Sequence, residues 1–149
     1  MRVSITGSRN INREDAIQKI EKIFSIYILQ FGKELEFITG GCIGIDALAA
    51  QIACGMNIKV HTVLPSKRET TEKYWQTWCT SYEEMPAKTT YRDRDKRMVQ
   101  LGDELLAFPS CDEYMPDKSY TRSGTWMTVR IARKANKSVI ITKVKEKEQ

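Results

Sequence analysis

Short apolar runs alternate along this chain with longer segments whose apolar residues recur at helical spacing. Residues 2–6 read as a strand, and residues 17–31 then place isoleucine and phenylalanine three or four positions apart until Gly32. Residues 35–39 form the next apolar run, and an alanine-rich helical pattern follows at residues 46–54. Strands that alternate with helices pair in parallel through right-handed crossovers. The pattern therefore predicts an α/β fold.

The same alternation returns in the second half of the chain. Residues 58–64, 104–108 and 138–142 read as strands, and residues 92–101 and 124–135 read as helices. Between them, residues 65–90 are polar and contain Trp75 and Trp78, so we interpret them as a partly helical insertion. The prediction is a Rossmann-like three-layer sandwich with a mainly parallel five-stranded sheet and helices on both faces. Residues 1–149 are expected to form a single domain.

Composition restricts the class of protein further. With 149 residues, 41% hydrophobic and 29% charged, the chain is typical of one soluble globular domain. Its apolar runs are strand-sized, and the first residues enter a strand rather than a signal sequence. We expect no membrane segment and a cytoplasmic location.

Cysteine and histidine are too sparse and scattered for a metal site. Cys42, Cys54, Cys79 and Cys111 show no C-x-x-C spacing, and His61 is the single histidine. We therefore expect neither a metal ion nor a cofactor.

The charge balance favours anionic partners. The formal net charge is +5 and the pI is near 9.0, as in proteins that bind nucleic acid, nucleotides or phosphorylated metabolites. Part of this excess lies in the C-terminal lysines Lys143, Lys145 and Lys147, in a tail that we expect to be solvated and frayed.

Three turns are expected at the carboxyl ends of the strands, where open parallel sheets bind their ligands. Each contains glycine, which lets the main chain approach a phosphate closely, and two carry serine or threonine hydroxyls as extra donors. The candidate phosphate ligands in these turns are Gly7, Ser8, Arg9, Gly40, Gly41, Cys42, Gly44, Ser123, Gly124 and Thr125. Pro109, which begins the loop after the fourth predicted strand, is a further candidate.

Carboxylates and arginines near these turns are further candidates. Asp46 begins a helix, where it caps free N–H groups, binds a ribose hydroxyl or orients a catalytic water. Asp46 and Asp95 are the candidate catalytic residues. Arg92 and Arg94 stand near the start of a helix of mixed charge, where they can meet a phosphate or stack on a base. The loop 109–122 is either an aromatic lid over the ligand or a surface loop.

Several of these segments together resemble the SLOG superfamily, and within it the YspA-like and DNA-processing-A-like Rossmann domains. The segments that carry the resemblance are Gly7-Ser8-Arg9, the run from Gly40 to Ala49, the run from Arg94 to Val99 with residues 103–109, and the run from Ser123 to Arg130. The resemblance implies a nucleotide pocket across the central strands, with Gly124 and Thr125 on a phosphate. It also implies a homo-oligomer. Such proteins include enzymes, sensors and DNA binders.

Two positions depart from the pattern of this superfamily. Thr128 stands where the LOG-type phosphoribohydrolases place their catalytic glutamate, and Ser123 falls in their glycine run. Asp95 follows Arg94 where near relatives often have asparagine. The first departure weighs against hydrolysis by the LOG-type mechanism, and the second weighs against the ligand contact that the asparagine makes in those relatives.

Three functions stay open at this point. The first is a sensor or capture module for a nucleotide or a nucleotide-derived phosphorylated molecule. The second is an N-glycosidase acting on a nucleoside 5′-monophosphate, with Asp46, Asp95, Asp112 or Glu113 as its carboxylate. The third is a protein that binds single-stranded nucleic acid in the manner of DNA-processing proteins, through the cluster of charges at residues 92–97.

Overall fold

The computed structural model describes residues 1–113 and 124–148. Its strands are β1 (Arg2–Gly7), β2 (Glu36–Thr39), β3 (Lys59–Leu64), β4 (Ser81–Glu84), β5 (Glu104–Phe108) and β6 (Ser138–Ile141). Its helices are α1 (Arg13–Phe31), α2 (Ile45–Gly55), α3 (Tyr91–Leu101) and α4 (Gly124–Lys134), and short 3₁₀ turns lie at Gly32–Glu34 and Trp75–Trp78.

These strands form one sheet in the order β4-β3-β2-β1-β5-β6, and every pairing is parallel. The α/β fold is as predicted, but the expectation of five strands is wrong. The sixth strand, β4, comes from the segment that we interpreted as an insertion. Its sequence, Ser-Tyr-Glu-Glu, has no apolar run, because an exposed edge strand is held by backbone pairing to β3 rather than by burial.

Helices cover both faces of the sheet. One face packs on α1 and α2 through Ile5, Phe37 and Leu106, whereas Leu105 and Ala107 point to α3 and α4 on the other face. Neighbouring residues of β5 therefore point to opposite faces of the sheet, because side chains alternate along a strand. None of the described helices combines the length and hydropathy that a membrane span needs.

Local sequence signals set the ends of the helices. Asn12 caps α1 by accepting a hydrogen bond from the Asp15 N–H at 3.0 Å, and Gly32 ends it with a φ of 57°. Thr90 caps α3 in a reciprocal capping box with Asp93. These caps fix where each helix begins relative to the strand before it.

The C-terminal tail is docked up to Lys145, contrary to the expectation of a frayed end. Val144 is 1% exposed and its N–H donates to the Pro109 carbonyl at 2.8 Å. The Lys145 carbonyl accepts from Asn12 N–H, and the Lys145 N–H donates to the Asp15 carboxylate. The tail thereby joins the loop after β5 to the start of α1.

Candidate functional site

A cavity of about 450 Å³ lies beyond the carboxyl ends of β1, β2 and β5. We call it the main cavity. It is lined by Thr6, Gly7, Ser8, Arg9, Asn10, Cys42, Asp46, Thr70, Tyr91, Arg94, Asp95, Met98, Ser110, Gly124, Thr125 and Met127. Such a volume is typical of sites for small molecules.

Ser8 holds the loops around this cavity together. Its N–H donates to the Phe108 carbonyl at 3.1 Å, and its Oγ accepts from the Ser110 N–H at 2.9 Å. Its carbonyl accepts from the Ile45 N–H at 3.1 Å. Ser8 thus links the loops that follow β1 and β5 to the start of α2.

The glycine-rich turn after β2 uses most of its N–H groups internally. The Asp46 Oδ2 accepts from the N–H of Gly40 at 3.0 Å and from that of Cys42 at 3.4 Å, and the Ile43 N–H donates to the Thr70 carbonyl. Asp46 therefore binds back to the turn, and no side-chain cap of α2 is formed. Cys42 is the residue of this turn that lines the cavity, and those three N–H groups are already bonded within the protein.

Glycine at position 40 is required by close packing. A Cβ there would lie 2.5 Å from Arg94 Nη1 and 2.9 Å from Asp46 Oδ2. We expect Gly40→Ala to lower the free energy of unfolding by about 1–3 kcal/mol, the usual cost of overpacking a buried site. The matched control is Gly55→Ala at the end of α2, where an added Cβ meets nothing within 4 Å. That change is expected to be neutral or stabilising in urea denaturation, and equal losses in both variants would contradict the packing argument.

Arg94 is the buried cation of the site. It is 5% exposed, its Nε donates to Asp95 Oδ1 at 2.9 Å, and its Nη1 donates to the Gly40 carbonyl at 2.7 Å. Its Nη2 lies 3.5 Å from Cys42 Sγ. Arg94 therefore ties α3 to the turn after β2, and most of its donors are engaged within the protein.

Two buried carboxyl groups line the same cavity. Burial raises the pKa of Asp46 to about 6, against the opposing effect of Arg94 and of the two amides that it binds. Burial also raises the pKa of Asp95, although the Arg94 guanidinium that hydrogen-bonds to its carboxylate acts in the opposite direction. The pKa of the Cys42 thiol is raised by burial and by the Asp46 charge, which makes this thiol a poor nucleophile at neutral pH.

Backbone N–H groups that are open to an anion lie in the loop after β1 and at the start of α4. The N–H groups of Arg9 and Asn10 have no hydrogen-bond acceptor in the described part of the chain. Gly124 and Thr125 open α4, where the first N–H groups of a helix lack an intrahelical acceptor and carry its positive dipole end. All four residues line the main cavity.

The structure brings together most of the residues that the sequence suggested. Those that line the cavity are Gly7, Ser8, Arg9, Cys42, Asp46, Arg94, Asp95, Gly124 and Thr125. Those described but not among its lining residues are Gly40, Gly41, Gly44, Arg92 and Pro109. Ser123, and Tyr114, Tyr120 and Arg122 of the expected lid, lie outside the described residues. Arg92 is exposed on α3 instead of facing the cavity.

The sequence analysis did not identify some of the residues that line the main cavity. Thr70 comes from the segment 65–90 and reaches the site because its carbonyl accepts from Ile43 N–H. Ser110 follows Pro109 and is held by Ser8, and Tyr91 lies with its ring 5.7 Å from the Arg94 guanidinium. Ser110 had a weak signal in its position just after a strand, whereas Thr70 had none.

No protein-family model and no curated protein sequence matches the chain. Solved structures do match. DNA processing protein A from Streptococcus pneumoniae is 20% identical with a TM-score of 0.69, over 94% of this chain and 49% of that one. A protein designated TM1055 is 12% identical with a TM-score of 0.63, over 93% of this chain and 71% of that one.

A third matching structure is the molybdenum cofactor carrier protein from Chlamydomonas reinhardtii, which is 18% identical with a TM-score of 0.62 over 94% of this chain and 74% of that one. The chain thus spans about half the length of the DNA processing protein. At these identities the likeness shows the fold, and it confirms the Rossmann-like architecture that the resemblance to SLOG proteins implied.

Proposed function

We propose that this protein binds a nucleotide, or a nucleotide-derived phosphorylated small molecule, in the main cavity. The observation that carries the proposal is the arrangement of open N–H groups at Arg9, Asn10, Gly124 and Thr125 around one cavity that also holds two buried carboxyls. Amides at a helix start bind phosphate, and carboxylates accept hydrogen bonds from ribose hydroxyls or amino groups. The matching DNA processing protein and cofactor carrier support a ligand of this kind.

The proposed orientation follows from the charges. The phosphate would sit at α4 and the loop after β1, and the hydroxyl or amino groups would face Asp46 and Asp95. The opposite orientation would place a phosphate against two carboxylates, which is unfavourable in a partly buried site. Self-association stays a prediction from the resemblance.

Gly124 offers a direct test of the phosphate contact. Proline is tolerated at the first position of a helix but has no N–H, so Gly124→Pro removes one donor and leaves α4 intact. We expect this change to weaken the binding of adenosine 5′-monophosphate at least tenfold in isothermal titration calorimetry, because a hydrogen bond to a charged group contributes about 1.5–3 kcal/mol. Gly124→Ala keeps the N–H, its Cβ meets nothing within 4 Å, and wild-type affinity is expected. Equal affinity in all three proteins would refute the contact.

Hydrolysis of the N-glycosidic bond is a second candidate function, favoured by Asp46. A buried carboxyl with a pKa of about 6 that lines a ligand cavity has the properties of a general acid or base. This function predicts release of free base from a nucleoside 5′-monophosphate, lost in both Asp46→Asn and Asp95→Asn. Binding without base release by the wild-type protein would exclude it and leave the capture function.

A further inference from the structure

A second cavity of about 320 Å³ adjoins the main one. We call it the side cavity. It lies between the starts of α1 and α2 and the chain just beyond the docked Lys145, and its polar and charged lining consists of Arg9, Asn10, Arg13, Gln51, Glu72 and Lys147. Nothing in the proposed function uses it.

The two cavities share Arg9 and Asn10. Gly44 lines the side cavity with a φ of 88°, and a Cβ on it would lie 2.4 Å from the Arg9 Cα. The two loops therefore meet backbone to backbone beneath Arg9, whose exposed side chain borders both spaces.

Charge distinguishes the two spaces. The charged residues that line the main cavity are balanced, with Arg9 and Arg94 against Asp46 and Asp95. The side cavity is lined by Arg9, Arg13 and Lys147 against the single carboxylate of Glu72.

These side-cavity cations are largely unpaired. Arg13 makes a 3.4 Å hydrogen bond to Gln51, and none of the three cations takes part in an ion pair within the described residues. The side cavity is thus the more favourable place for an additional anionic group.

An aromatic ring completes the side cavity. Trp78 is partly buried, packs against the core between α1, α2 and the sheet, and lines the side cavity as well. A flat ring beside cations is the combination that binds a base next to its phosphate, since any base can stack on an indole.

We infer that the ligand carries a second nucleotide unit, whose phosphate binds Arg9, Arg13 and Lys147 and whose base packs on Trp78. The inference rests on the proposed function, because the first unit occupies the main cavity. The recognised chemistry is a second phosphate followed by a second base. A pyrophosphate-linked dinucleotide and a 3′,5′-linked dinucleotide both supply it.

The test compares three probes by isothermal titration calorimetry: adenosine 5′-monophosphate, the 5′-phosphorylated 3′,5′-linked adenine dinucleotide, and the pyrophosphate-linked diadenosine compound. We expect at least one dinucleotide to bind tenfold or more tightly than the monophosphate, and the better of the two identifies the linkage. Arg13→Gln and Lys147→Gln should each reduce this gain at least threefold without changing the affinity for the monophosphate. Lys145→Gln on the same tail, outside the cavity lining, should change neither.

Trp78→Leu separates stacking from charge and should lower the affinity for the dinucleotide while that for the monophosphate is kept. Two outcomes would overturn the inference: no gain from the second unit, or a gain that survives both cation substitutions. If one of these outcomes is found while adenosine 5′-monophosphate still binds and Gly124→Pro still weakens that binding, the inference fails and the proposed function stands. If no probe binds, the proposed function fails with it.

Discussion

Replacing Arg94 with methionine is expected to lower the free energy of unfolding by about 3–5 kcal/mol, the cost of breaking a buried ion pair by removing one partner. Arg94 is 5% exposed, and its guanidinium bonds Asp95 and the Gly40 carbonyl. Without it, two buried carboxyls keep their desolvation cost and the carbonyl loses its donor. Urea denaturation at neutral pH measures the change.

Arg97→Met, one turn further along α3, is the matched control. Arg97 pairs with Glu83 at 2.9 Å, and its side chain is 41% exposed. Such a surface pair contributes at most about 1 kcal/mol. If the free energy of unfolding of Arg94→Met lies within about 1 kcal/mol of the wild-type value, Arg94 does not organise the site.

The second large effect is a dependence of stability on pH that comes from Asp46. Its pKa is raised by burial from 3.8 to about 6, so the folded protein binds this proton more tightly than the unfolded chain does. The stability that this proton contributes is fully present below about pH 4 and is lost as the pH rises through about 6. From 1.36 kcal/mol per pKa unit, the loss is about 3 kcal/mol.

Asp46→Asn removes this titration, so the wild type should lose about 2–2.5 kcal/mol of this total relative to the variant between pH 4 and pH 7 in urea denaturation. The other carboxyls are common to both proteins, so the difference reports Asp46 together with its electrostatic coupling to Asp95. If the difference in the free energy of unfolding between the wild type and Asp46→Asn stays constant from pH 4 to pH 7, Asp46 stays ionised in the folded protein.

The sequence predicted best what depends on local pattern. The bounds of β5 at Glu104–Phe108 match the predicted strand. Strand β4 was missed because an exposed edge strand needs no apolar alternation. The docking of Val144 was missed because it depends on a carbonyl at Pro109, far away in the chain.

The glycine turns led to a candidate site at one edge of the sheet, but they did not predict which hydrogen-bond donors stay open there. Glycine turns after β1 and β2 do meet at one edge of the sheet, as parallel strands require. The run from Gly40 to Gly44 suggested phosphate-binding amides, but the Asp46 carboxylate accepts from two of them. Which donors stay open depends on partners that the fold brings near, and local composition does not encode this.

The most direct test of the account is an NMR titration of ¹⁵N-labelled protein with adenosine 5′-monophosphate. A phosphate held by the loop after β1 and by the start of α4 should shift the amide resonances of Arg9, Asn10, Gly124 and Thr125 more than the others, and Gly124→Pro should weaken the whole response. Saturable shifts centred elsewhere, with these four amides unchanged, would contradict a phosphate site in the main cavity.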